Sequence, residues 1–187
     1  RSLDDLSAAQ PDPIEKENFA FFGTVMKGAP EQAPRCQRGS NFMEETFGEA
    51  IGKEYAARYF PPAYKAELRG LIDNILAAMD RRIDNLAWMQ PATKARAKEK
   101  LKGFTVKIGH PDQWRDYNGL RIDRGDLFGN LVRANRFNFD YMIEKSGQPV
   151  RRWEWLMTPQ AFNAHGHYNQ LEIVFPAAFL QPAFYDP

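Results

Sequence analysis

The chain has 187 residues, with 25 Lys and Arg against 24 Asp and Glu, a net charge of +1, and is 43% hydrophobic and 26% charged. That composition belongs to a globular protein and excludes global disorder, and the balanced charge leaves no basic excess to hold nucleic-acid phosphates. No apolar run reaches the roughly 18 residues of a membrane-spanning helix, and a single cysteine, Cys36, excludes an internal disulfide and a cysteine-built zinc site.

Residues 1–13, with Pro11 and Pro13 around Asp12, read as a linker. Ile14 to Lys27 carries Phe19, Phe22, Val25 and Met26 near helical spacing and stops at Gly28 and Pro30, which predicts a helix. Cys36 to Tyr59 predicts a second, with Phe42, Met43, Phe47, Ile51 and Tyr55 as its apolar stripe and Pro61-Pro62 as its stop. The clearest periodicity spans Ala63 to Met89, where Leu68, Leu71, Ile72, Ile75, Leu76, Met79, Ile83 and Leu86 recur at steps of three and four. Pro91 opens a basic helix through Leu101 as a first-turn proline. Val106 to Gly109 reads as a short extended piece, His110-Pro111-Asp112 as a turn, and Gly125 to Lys145 as a further amphipathic helix.

After Gly147 the texture changes. Arg151 to Trp155 alternates polar and aromatic residues and reads as an edge strand, and Glu172 to Phe175 is a β-favouring run closed by Pro176. The expected fold is therefore mainly α, with two short extended segments near the C-terminus. Phe175, Phe179, Leu180, Phe184 and Tyr185 crowd the last residues, too apolar for a solvated tail. They are expected to pack against something outside the chain.

Few residues suggest chemistry. In an extended segment His165 and His167 share a face and could reach one metal, but no third ligand is evident beside them. Cys36 lies between Arg35 and Arg38, without an identifiable histidine partner. The acids Asp80 and Asp84, and the basic run from Lys94 to Lys102, read as solvated helix faces. No P-loop, G-x-S-x-G or H-E-x-x-H motif is present. A non-enzymatic helical interaction module, using the aromatic C-terminus as its partner surface, remains open on these residues alone.

A set of motifs in one order narrows the reading. Asn163-Ala164, then Glu172 to Ala177, then Leu180-Gln181-Pro182 and Phe184 resembles the substrate-edge segment of the neprilysin family of zinc metallopeptidases. Leu86-Ala87-Trp88-Met89 with Thr93-Lys94, Ala97 and Lys100 resembles that family's L-x-W-M helix, Ile108 to Pro111 its I-G-Y-P turn, and Arg35-Cys36 its R-C helix start. His165-Gly166 stands where the family has two aromatic residues, and Ala183 where it has Pro.

The resemblance implies a helical segment of a two-lobed zinc endopeptidase acting on oligopeptides outside the cytoplasm. Residues 1–34 would leave the outer helical lobe, 35–150 would connect the lobes, and 151–187 would form the incomplete substrate edge of the catalytic lobe. It implies that Asn163 and Ala164 bind the substrate backbone and that Phe179 and Phe184 line the pocket for the residue after the scissile bond, which a phenylalanine at position 179 would narrow. It places zinc, its ligands and the general base beyond residue 187, so that this chain alone is expected to be inactive and to need the catalytic half, or a second chain supplying it, as partner.

Overall fold

The computed structural model describes residues 9–186, so most of the expected N-terminal linker, and Pro187, lie outside the described residues. In chain order the elements are α1 (Asp12–Asn18), running on into a π-helical stretch (Phe19–Val25), α2 (Arg35–Tyr59), α3 (Pro62–Asp84), α4 (Pro91–Lys102), β1 (Thr105–Gly109), α5 (Leu127–Glu144), β2 (His165–His167) and β3 (Glu172–Pro176). The mainly α expectation holds. The chain divides into two compact units, one running to Gly48 and resuming from Arg115 to Val150, the other formed by Glu49–Trp114 and Arg151–Pro187.

In the first unit, the helix expected from Ile14 to Lys27 changes register at Phe19. A side chain at Gly23 would meet the Phe19 ring, so the glycine lets that ring fold back over the widened turn. An ion pair between Arg38 and Glu15, 3.1 Å, ties α1 to α2. The single helix expected from Cys36 to Tyr59 is broken at Phe47, whose φ of −129° and ψ of 21° are not helical. The Thr46 hydroxyl donates back to the Phe42 carbonyl at 2.7 Å, a bond that bends helices. α5 starts at Asp126, whose carboxylate accepts from the Gly129 N–H at 2.8 Å. It buries Leu131 and Ala134. The Arg115 guanidinium lies over Tyr141, Phe137 and Tyr117 at 4.0, 4.6 and 5.2 Å.

In the second unit, α3 stops at Asp84 and not at Met89. Asn85 caps it, its side chain bonding the Arg81 carbonyl, and Pro91 holds Gln90 extended, so the helix cannot run through. The charges on the facing sides of α3 and α4 are paired, not merely solvated: Lys98 reaches Asp84 at 2.6 Å and Asp80 at 3.1 Å. Phe60, Leu68, Ile108, Ala177 and Leu180 form the core, and Tyr55, Tyr64, Ile72, Val106, Phe175, Phe179 and Tyr185 pack on it. The aromatic C-terminal segment thus closes largely on α3 and β1 of its own unit, where an outside partner was expected.

The sheet has the order β1-β3-β2. β1 runs parallel to β3 with Thr105 opposite Glu172 and Gly109 opposite Pro176, while β2 runs antiparallel with His165 opposite Val174 and His167 opposite Glu172. Val106, Ile108 and Phe175 turn to the α3 side. Lys107, Glu172 and Val174 occupy the other face. Gly109 ends β1 with a φ of +76°, and any side chain there would strike the Phe60 ring. The edge strand expected at Arg151 to Trp155 does not form: a turn brings the Glu154 N–H to the Arg151 carbonyl, and the Glu154 carbonyl accepts from Lys107 Nζ at 2.7 Å. The edges of the sheet are β1 and β2 instead.

Candidate substrate edge

The hydrogen-bond phase of the sheet decides what its edges display. Thr105 N–H bonds the Leu171 carbonyl and Ala177 N–H bonds the Gly109 carbonyl, so the odd-numbered residues of β3 serve β1. The backbone groups of Glu172 and Val174 then serve β2, where they pair with His167 and His165. By the same alternation Gly166, and Ala164 one step before the strand, turn their backbone groups to the outer edge. The Ala164 N–H is taken by the Asn163 side-chain oxygen at 2.8 Å. What remains at this edge is the Ala164 carbonyl and both backbone groups of Gly166. Asn163 is exposed and Ala164 half-buried.

An aromatic cluster begins one residue earlier. Phe162, 69% exposed, meets Phe184 at 5.6 Å and Phe179 at 6.2 Å between ring centroids. Phe179 also stacks on Phe175 at 6.2 Å and meets Phe184 at 4.6 Å. With Leu71, Ile72 and Ile75 of α3, the rings of Phe175, Phe179 and Phe184 line a cavity of about 250 Å³, and Phe184 remains 60% exposed. The four residues singled out by the sequence therefore sit in one unit, the first pair on the strand approach and the second in an apolar hollow linked to it by Phe162. Two neighbouring residues were not singled out. Gly166 was legible as the residue two beyond Ala164, since alternate backbone groups share an edge. Phe162 carried no signal beyond its position before Asn163.

The histidines do not make a metal site. His165 and His167 share a sheet face, but both ring nitrogens of His165 are buried without a partner among the described residues, and His167 Nδ1 accepts from the Gln170 N–H at 3.3 Å. The one carboxylate opposite His167 is Glu172, and Lys107 holds it at 2.8 Å. Among the described residues no group of three or more His, Cys, Asp or Glu could hold a metal ion. The residues present therefore do not fit a zinc ion. Cys36 is exposed at the start of α2.

Comparison with known proteins gives a consistent set of relatives. The sequence model of peptidase family M13 matches residues 1–111. Human endothelin-converting enzyme-like 1 is 33% identical over 184 residues, covering 94% of this chain and 23% of the relative. Human neprilysin is 27% identical over 178 residues, covering 91% of this chain and 24% of its own length. Among solved structures, the open state of the zinc metalloprotease Zmp1 from Mycobacterium tuberculosis superposes with a TM-score of 0.88 at 45% identity, over 94% of this chain and 27% of that one. The chain thus spans about a quarter of the length of these relatives.

Proposed function

This chain belongs to peptidase family M13, and on that premise we propose that it is the substrate-edge portion of a zinc metalloendopeptidase that hydrolyses peptide bonds in oligopeptides. The observation that carries the reading is the free outer edge of β2 beside an aromatic hollow. An extended peptide laid against that edge finds an acceptor at Ala164 and a donor and an acceptor at Gly166, the pattern of β-strand addition. Asn163 turns its amide toward the same peptide backbone. Phe179 and Phe184, with Phe162 packed against them, offer an apolar pocket to one of its side chains. None of these roles passes through a metal, and none supplies a proton or a nucleophile. Their contribution is register, holding the peptide still while groups elsewhere act.

In this reading, residues 1–34 leave the outer helical lobe, 35–150 connect the lobes, and 151–187 form the substrate edge. Zinc and its ligands belong to the remainder of the enzyme, the partner that this portion requires, and the protein works outside the cytoplasm. The apolar surface left bare here is, on the same reading, covered by that remainder.

Replacing Asn163 with Ala in the complete enzyme tests the assignment. The expected loss is one hydrogen bond to substrate, about 1–3 kcal/mol of transition-state binding, or roughly a five- to 150-fold fall in kcat/KM. Zinc content and melting temperature should not change. An unaltered kcat/KM in a folded, zinc-loaded Asn163→Ala enzyme would remove Asn163 from the substrate edge.

A further inference from the structure

The sheet has a second free edge, on β1, and it differs in kind from that of β2. Because the backbone groups of Thr105, Lys107 and Gly109 serve β3, those of Val106 and Ile108 point outward. Both outward carbonyls are already occupied: that of Val106 accepts from Arg69 at 3.3 Å, and that of Ile108 from the His110 N–H at 2.9 Å. No described residue accepts from the Val106 or Ile108 N–H. The edge therefore displays donors and no acceptors. A neutral strand could not complete a ladder there, since half of its own N–H groups would find nothing.

Val106 and Ile108 line a cavity of about 810 Å³. Its charged wall is cationic. Lys65 is answered by Asp112 at 2.6 Å, but Arg69 and Arg152 each bond only a backbone carbonyl, Arg152 that of Gln170 at 3.2 Å. Asp112 acts on Arg69 only through space, so neither guanidinium is bonded to a carboxylate. Opposite them stand the half-buried rings of Trp153 and Trp155. Along a strand, the two N–H groups lie roughly 6.6–6.8 Å apart, too far for one carboxylate to bridge. A ligand that satisfies this wall must bring a negative charge, a second acceptor a few atoms away, and an apolar body.

We propose that the outer edge of β1 binds a carboxylate flanked by an amide carbonyl and an apolar side chain, the chemistry shared by a free N-acyl amino acid and by the carboxyl terminus of a peptide. The guanidinium of Arg69 or Arg152 takes the carboxylate as a two-pronged donor, a backbone N–H takes the carbonyl, and the indoles take the apolar part.

Hippurate, which carries all three groups, is the probe, with its neutral amide as control and tryptophan fluorescence of the purified chain as readout. Saturable quenching by hippurate is expected, with the amide weaker by about tenfold or more, since the charge-assisted bonds are lost. Arg69→Gln and Arg152→Gln should each weaken hippurate by about fivefold or more with an unchanged circular dichroism spectrum. Two variants are used because Arg69 also braces the strand, whereas Arg152 does not. An N-acetylated tripeptide ending in phenylalanine separates the sources: tighter binding than hippurate identifies a peptide terminus, and equal binding identifies a free acyl amino acid. Equal affinity for hippurate and its amide, wild-type affinity in both arginine variants, or inorganic phosphate binding as well as hippurate would overturn the proposal.

Discussion

Lys107 and Glu172 make the costliest contact in the second unit. Their charged atoms are 2.8 Å apart and their side chains only 8% and 3% exposed, on the sheet face shared with His165 and His167. Lys107 is opposite Val174 in the register, so the pair is diagonal across β1 and β3. Its ammonium also bonds the Glu154 carbonyl, which fastens the turn that begins at Arg151. Removing one partner strands a buried charge, whereas removing both does not. Lys107→Met should therefore lose about 3–5 kcal/mol in urea unfolding, and Lys107→Met with Glu172→Leu should regain most of it. A double variant as unstable as the single would show that the charge is not the cause. Nothing in the sequence joins two residues so far apart, one inside an expected extended piece and the other opening the next. Asn163 and Ala164 could be singled out because their signal is local, a short motif at fixed spacing from the β-favouring run.

At the level of elements, α5 depends on one side chain. The Gly129 N–H and then the Arg133 guanidinium hold the Asp126 carboxyl below its ordinary range. A carboxyl lowered in the folded state stabilises at pH above its unfolded value and ceases to do so as pH falls through its folded value. The first turn of α5 should therefore loosen on acidification below about pH 4, the ordinary carboxyl range. Backbone chemical shifts of residues 127–130 would register this. Asp126→Asn, which keeps an accepting oxygen without a titrating charge, should abolish the pH dependence; persistence of the transition in that variant would assign it to another group. Helix periodicity predicted α3 and α5 to within a few residues because each buries apolar side chains, and a first-turn proline marked the start of α4, which buries none. It missed the break at Phe47 and the π-helical stretch because these arise from one hydroxyl back-bond and one ring over a glycine, which leave the apolar spacing unchanged. The edge strand expected at Arg151 to Trp155 failed for a similar reason: alternation fits a strand, but a tight turn and the Lys107 ammonium claim its backbone.

Across the whole chain, apolar surface is unevenly covered. In the first unit Phe21, Phe22, Val25 and Met26 are exposed, as are Leu127, Val132, Phe139, Met142 and Ile143 along α5; in the second, Leu71, Ile75, Met79, Phe162 and Phe184 are exposed. The sequence located the problem at the aromatic end, yet that end folds mostly onto α3, while α5 leaves more of its face bare. Amphipathic spacing says that a face is to be covered, not which element covers it. Surfaces of this kind drive association. The isolated 187-residue chain should scatter light as more than a monomer and bind a hydrophobic dye, and a dye-silent monomer would contradict this. The strand order carries a different consequence, for synthesis. β3, the middle strand, is the last to be made, and the β1 strand it joins is separated from it by the whole 115–150 segment, which folds with the other unit. As the chain emerges from a ribosome, β1 waits with both edges unpaired until β3 has cleared the exit tunnel. A message cut short before the codon of Glu172 leaves β1 without the strand it pairs with, an unpaired strand exposed to misassembly.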